Sequence, residues 1–202
     1  SKVFLNGTIL DADKAQISVF DRGFIFGDGI YEVMARIGGR FFYGDAHLKR
    51  MKTCLEKIDI AFDVDALQAK IPTLLEASGL TGEDCMLYLQ VTRGVAARSH
   101  AFPPAGTKAT TYAAARPFVR LQNEIDDCVA AMTVRDERWS RCDIKSIALL
   151  PNTLAHQAAR EQGAVEAIFL RDGLVQEGSH SSVLCVKNGV VHTVDPDRPR
   201  AE

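Results

Sequence analysis

Four two-residue breaks narrow the folds open to this chain: Asn6-Gly7, Gly38-Gly39, Asp172-Gly173 and Asn188-Gly189 each separate short, largely apolar runs. Such dipeptides readily supply the positive φ values of type I′ turns, whose twist matches that of flanking antiparallel strands. Val3-Phe4-Leu5 and Thr8-Ile9-Leu10 thus read as one strand pair, and residues 31–37 and 40–43 as a second. Further strands are expected over 86–92, 109–115, 128–137, 141–146, 166–171, 182–187 and 190–193. Helical spacing takes over elsewhere. Leu48, Met51, Leu55 and Ile58 predict a helix over 46–58 with Asp45 as N-cap. Residues 65–78, closed by Gly79, and 152–162, closed by Gly163, predict two more. Pro117 opens an irregular stretch that reads as a linker over 117–127, between a domain at 1–116 and a second at 128–202. The class is α/β, in two domains.

Composition excludes several functions. The 202 residues carry a net charge of −2, so no basic excess points to a nucleic-acid partner. The five cysteines are odd in number and lack CxxC spacing, which reads as reduced thiols and not as a disulfide framework or zinc site. No metal-ligand cluster is visible in the spacing, and His47 and His156 read as structural helix residues. No run has the length of a membrane span or of a signal-peptide core, so a soluble, cytoplasmic protein with no membrane partner is expected.

The chemistry gathers around Lys145. In residues 138–146 apolar Trp139, Cys142 and Ile144 alternate with polar neighbours, the period of a half-buried strand. A lysine held beside apolar groups loses hydration, which favours the neutral, nucleophilic amine. Glu177 then leads into the small-donor cluster Gly178-Ser179-His180-Ser181-Ser182. An amine, a carboxylate and a loop of small donors match the needs of pyridoxal 5′-phosphate: a Schiff-base partner, a partner for the ring nitrogen, and phosphate donors.

Five segments in register carry a resemblance. Residues 20–32 (FDRGFIFGDGIYE), His47-Leu48-Lys49-Arg50, Cys142-Asp143-Ile144-Lys145-Ser146 with Asn152 and Ala155, residues 163–168 (GAVEAI), and Glu177-Gly178-Ser179 are similar to the signature of fold type IV pyridoxal-phosphate aminotransferases. Among these the chain most resembles D-amino-acid aminotransferases. The resemblance implies a small α/β domain and a mainly β large domain, with the cofactor in the cleft between them. It implies Lys145 as the catalytic Schiff-base lysine and Glu177 as the carboxylate facing the ring nitrogen. Arg50 matches the phosphate-binding arginine, whose two fixed donors suit a dianion. Ser179 and Ser181 are candidate further cofactor contacts, although His180 and Ser182 depart from the Ser-Asn pattern common there.

Arg98 and His100 lie two apart, so an extended backbone points both the same way. The Arg-x-His pair is what D-amino-acid aminotransferases carry at this loop. There it reaches the neighbouring subunit's active site, and Tyr31 completes the trap for the substrate carboxylate, so a homodimer is implied. The expected activity is ping-pong transfer of an amino group between a D-amino acid, such as D-alanine or D-glutamate, and a 2-oxoacid. The alternatives are a branched-chain L-amino-acid aminotransferase, an aminodeoxychorismate lyase, or an inactive truncated homologue. Family members continue beyond the point matching Glu202 with further phosphate-binding segments, so the large domain is expected to be truncated at the C-terminus.

Overall fold

The computed structural model describes residues 1–119 and 126–194. Most of the expected linker, residues 120–125, lies outside the described residues. The chain divides into two compact units, the first built from residues before the linker together with 143–148, and the second from the remainder. Residues 143–148 thus fall outside the expected division at 128. Ile144 is buried in the first unit's core, and the backbone around Lys145 bonds to that unit's strands.

The first unit is an antiparallel sheet of six strands in the order β2-β1-β6-β5-β3-β4. These strands are β1 (Lys2–Leu5), β2 (Thr8–Asp11), β3 (Gly29–Ile37), β4 (Arg40–Phe41), β5 (Cys85–Thr92) and β6 (Thr110–Pro117). Both expected N-terminal hairpins form, with Asn6 and Gly7, then Gly38 and Gly39, at positive φ. Alternation along β5 buries Cys85, Leu87, Leu89 and Val91 on one face. Against that face packs α2 (Gly44–Lys57) through Leu48, Met51 and Leu55. On the other face Tyr88 of β5 stacks on Tyr31 of β3 at 5.7 Å between centroids and tilts against Tyr112 of β6 at 5.9 Å. Burial and these two phenols push the Tyr88 hydroxyl up to about 12.

Three expectations about elements are corrected. Asp45 is not the N-cap of α2; Tyr43, at φ 50°, precedes the helix and Asp45 lies in its first turn, where a carboxylate also suits the helix dipole. The helix expected over 65–78 is two, α3 (Val64–Gln68) and α4 (Ile71–Ala77), with Pro72 at the start of the second. Proline lacks an N–H and clashes with the preceding turn, so a continuous helix breaks there. Residues 141–146 form turns and one isolated bridge, Ser146 to Ile30, instead of a strand.

The second unit holds a three-stranded sheet, β7 (Ala131–Arg135), β8 (Glu166–Arg171) and β9 (Leu174–Gly178), in which β7 and β8 run parallel. Helix α5 (Leu150–Glu161) covers it, with Ala159 packed against Ala164 and Ala167. A separate hairpin, β10 (Leu184–Lys187) and β11 (Val190–Thr193), exposes Leu184, Val186, Val190 and Val191. No helix among the described residues is long and apolar enough to cross a membrane.

The start of β3 lies against β5 so closely that only a hydrogen fits at Gly29. A Cβ there would stand 2.6 Å from the Val91 carbonyl oxygen and 2.9 Å from the Thr92 Cα, both backbone atoms that cannot swing away. Gly29→Ala is therefore expected to destabilise the fold by about 1–3 kcal/mol. Gly82→Ala, where a Cβ meets nothing within 4 Å, should leave stability unchanged. Urea unfolding midpoints of the two variants check the contrast.

Candidate active site

Asp21 begins the local architecture by capping the short helix α1 (Arg22–Phe26), accepting from the Gly23 N–H at 2.8 Å. The helix delivers Arg22 to Asp28, Nε to Oδ2 at 2.7 Å, while Arg93 donates to the same carboxylate from Nε at 2.8 Å and Nη2 at 3.0 Å. Burial pushes the Asp28 carboxyl up, but the two guanidinium groups outweigh it and hold it below the usual carboxylate range. Arg22 Nη1 also donates to the Ser99 carbonyl at 2.6 Å, tying down the loop that carries Arg98 and His100. Both of those side chains are exposed and lie against Phe26, with the His100 and Phe26 ring centroids 5.5 Å apart and the Arg98 guanidinium 5.4 Å from the Phe26 centroid.

Immediately after Asp28, β3 pairs with the backbone around Lys145. The Ile147 N–H donates to the Gly29 carbonyl at 3.1 Å, and the Tyr31 N–H to the Lys145 carbonyl at 3.0 Å. The Lys145 N–H points to the Cys54 Sγ on α2, at 3.4 Å, and Lys57 of α2 pairs with Asp143 at 2.8 Å. The half-buried Lys145 side chain then extends over Tyr31, with Nζ 3.3 Å from its hydroxyl. Among the described residues no carboxylate pairs with this ammonium.

Arg50 sits in the same unit on α2. Its Nε and Nη2 clasp Glu32 of β3 at 2.6 and 2.8 Å, and His47 Nδ1 reaches the same carboxylate at 2.8 Å. The hydrogen bonds to Glu32 hold the Arg50 pKa above its usual value, against the opposing effect of burial. Glu32 is fully buried whereas the Arg50 side chain is 50% exposed, and its Nη1 has no protein partner among the described residues. The guanidinium is thus fixed along one edge and open along the other. The sequence places Glu32 and His47 in two of the family-like segments, and His47 as structural, but does not show that both serve Arg50. A glutamate at alternating spacing from Tyr31 carries no local signal of its own partner, which lies 18 residues further along.

The second unit repeats this arrangement at Glu177, on β9. Arg138, 7% exposed, donates Nη1 to Glu177 Oε1 and grips fully buried Asp136 through Nε at 2.9 Å and Nη2 at 3.0 Å. Arg171 adds a bond to Asp136 at 3.0 Å, and Phe169 lies beneath the Arg138 guanidinium at 4.2 Å. Glu177 itself is 42% exposed, with Oε2 lacking a partner among the described residues. Ser179 and Ser181 are more committed than expected. Both hydroxyls donate to Glu166 of β8, from Ser181 at 2.5 Å, and the Ser179 N–H adds another bond at 2.9 Å. Burial pushes the Glu166 carboxyl up, but these donors outweigh it and bring it down to about 2. Trp139 is exposed and lines no core.

In the first unit, a half-buried primary amine beside a phenol and an anchored guanidinium with one open edge suit a carbonyl group and a dianion; in the second, taken by itself, Glu177 is an anchored carboxylate with one free oxygen among the described residues. The chain belongs to the class IV amino-transferase family, whose profile matches residues 29–199. It is 38% identical over 195 residues to a D-alanine aminotransferase of Staphylococcus haemolyticus, covering 96% of this chain and 68% of that relative. A D-alanine aminotransferase of Bacillus licheniformis is 40% identical over 194 residues, covering 95% of this chain and 68% of its own length. In fold it resembles a branched-chain amino acid aminotransferase from Escherichia coli, with a TM-score of 0.85 at 20% identity over 95% of this chain and 67% of that one. It likewise resembles the pyridoxal-phosphate-bound form of a hypothetical aminotransferase from Mycobacterium tuberculosis, with a TM-score of 0.82 at 23% identity over 97% of this chain and 72% of that one.

By its chemistry, each of these donors suits one group of pyridoxal 5′-phosphate: in the first unit the Lys145 amine, which meets the Tyr31 hydroxyl, suits the aldehyde and the open edge of Arg50 the phosphate, and in the second unit the free oxygen of Glu177 suits a protonated ring nitrogen. Glu32→Gln should keep the fold but release one edge of Arg50. A charge-assisted bond there is worth about 1.5–3 kcal/mol, so affinity for the cofactor should fall about tenfold or more, read by fluorescence titration. Acid should act on the second unit through Glu166. Its folded carboxyl titrates at about 2 against an ordinary 4.5, so its stabilisation is intact above pH 4.5 and is lost as pH falls from there towards 2. At 13% exposure the effect is on the order of 3 kcal/mol. Glu166→Gln should flatten this acid limb of the melting-temperature profile.

Proposed function

We propose that the protein is a pyridoxal-phosphate-dependent D-amino-acid aminotransferase that moves the amino group of D-alanine or D-glutamate to a 2-oxoacid in two half-reactions. The observation that carries this reading is Lys145 itself: a half-buried amine resting on the Tyr31 hydroxyl, without a carboxylate partner among the described residues. The relatives named D-alanine aminotransferase, at 38% and 40% identity, support the D-specific form over a branched-chain L-aminotransferase or a lyase.

When bound, pyridoxal phosphate supplies the electron sink that lets an amino acid's α-proton leave. The chain supplies the rest. Lys145 Nζ would hold the cofactor at its aldehyde and, when released, would be the base that takes and returns the substrate's α-proton. The Tyr31 hydroxyl, 3.3 Å from Nζ, orients that amine. Glu177 would face the ring nitrogen and hold its proton, and the ion pair with Arg138 keeps Glu177 in place. Arg50 offers its open edge to the phosphate. Arg98 and His100 hold the substrate carboxylate, and we assign them to the site of a partner subunit in a homodimer. We place the reaction in the cytoplasm, in keeping with five cysteines that form no disulfide.

Coupled assays with D-alanine or L-leucine as donor and 2-oxoglutarate as acceptor test the reading. Turnover is expected with D-alanine; turnover with L-leucine alone would transfer the protein to the branched-chain group. Arg98→Ala should raise KM for D-alanine by about 2–4 kcal/mol of lost carboxylate binding, roughly thirtyfold or more, while cofactor binding stays unchanged.

A further inference from the structure

Three side chains outside the catalytic assignments converge in the second unit. His156 projects from α5, Glu166 from β8, and His180 from the turn after β9, and their ligating atoms all lie within 4.8 Å of one another. His180 Nδ1 stands 2.9 Å from Glu166 Oε2, and His156 Nδ1 3.9 Å from Glu166 Oε1. The two imidazole rings meet edge to face at 4.7 Å. An ion bound tetrahedrally at about 2.0–2.2 Å holds its ligand atoms ~3.4 Å apart, a spacing that lies between the 2.9 Å from His180 Nδ1 to Glu166 Oε2 and the 4.8 Å within which all the ligating atoms fall. Closing the remaining gap needs the imidazoles to shift, and His180, 67% exposed, has the room to do so.

The carboxylate is already aimed. Glu166 Oε1 takes the Ala167 N–H at 2.8 Å and the Ser179 N–H at 2.9 Å, and Ser181 holds Oε2 at 2.5 Å. Outer hydrogen bonds of this kind fix a ligand's direction before an ion arrives. The Ser179 hydroxyl, which donates to Glu166 Oε1, lies beside both imidazoles, 3.2 Å from His156 Nδ1 and 3.4 Å from His180 Nδ1, and so braces the cluster from outside. Two imidazoles and one carboxylate favour borderline ions such as Zn²⁺ over Mg²⁺ or Ca²⁺, which prefer all-oxygen shells.

We propose that His156, Glu166 and His180 form a site for a divalent first-row transition ion of the zinc class, which clips the turn after β9 onto α5 and β8. The site does not depend on the transaminase reading, and its binding is measured without turnover. Co²⁺ titration of the purified, cofactor-loaded protein tests it, with visible d–d absorbance as readout. One ion per chain is expected to give the intense bands of a low-coordinate site without a near-ultraviolet thiolate band, and Zn²⁺ should displace it. His180→Ala and His156→Ala should each weaken binding at least ~10-fold, with far-ultraviolet circular dichroism of the metal-free variants unchanged. Absence of saturable absorbance, a thiolate band marking cysteine ligation, or undiminished affinity in both variants would overturn the assignment. Melting temperature gives a second reading. Zn²⁺ should raise it in the wild-type protein and not in His180→Ala, and an equal rise in both would also count against the site.

Discussion

The first unit depends on one carboxylate. Asp28 receives two arginines that would otherwise be stranded charges in a buried setting, and each arginine carries the constraint further. Arg22 passes it to the Ser99 carbonyl and so to the loop bearing Arg98 and His100. Arg93 passes it to the carbonyls of Ile58 and Asp59 at the end of α2, the helix that holds Arg50. Asp28 itself sits one residue before β3, whose first residues accept the Lys145 segment by main-chain bonds. Breaking one partner of a buried ionic cluster costs far more than an exposed pair contributes. A single carboxylate, gripped by two buried arginines, thereby keeps lysine, tyrosine and arginine on one frame.

The same economy recurs at each group assigned to the cofactor. Glu32 holds one edge of Arg50, and Arg138, itself braced by Asp136, holds one oxygen of Glu177. Each outward-facing group keeps a free edge while a buried partner removes its rotational freedom. Catalytic groups gain most from such fixing, because the cost of ordering them is met on folding and not during reaction.

Much of this was legible from the sequence, for local reasons. Asn6-Gly7 and Gly38-Gly39 dictate their hairpins through backbone conformation alone, and both formed. Lys145 announced itself by its apolar neighbours, and half-burial of its side chain followed. What stayed hidden was long-range. The helix expected over 65–78 breaks at Pro72, a signal present in the sequence but outweighed by amphipathic spacing. The Lys145 stretch looked like a strand by its alternation, yet it turns at Cys142 and Asp143 and meets β3 through one isolated bridge, Ser146 to Ile30. Glu32 and His47 gave no sign of serving Arg50, and the His156–Glu166–His180 cluster assembles only when a helix, a strand and a turn meet. Even the serines expected to face the cofactor turn their hydroxyls to Glu166, a partner 13 residues before Ser179.

The claim on which the account rests is that Lys145 is the amine that holds the cofactor. Borohydride reduction of the cofactor-loaded protein, followed by proteolysis and peptide mass spectrometry, tests it directly, because reduction makes the lysine–cofactor bond permanent. The account predicts one pyridoxyl group per chain, on the peptide containing Lys145, and its loss when D-alanine is added before the reductant. A label on another lysine, or none on a protein that turns over D-alanine, would contradict it.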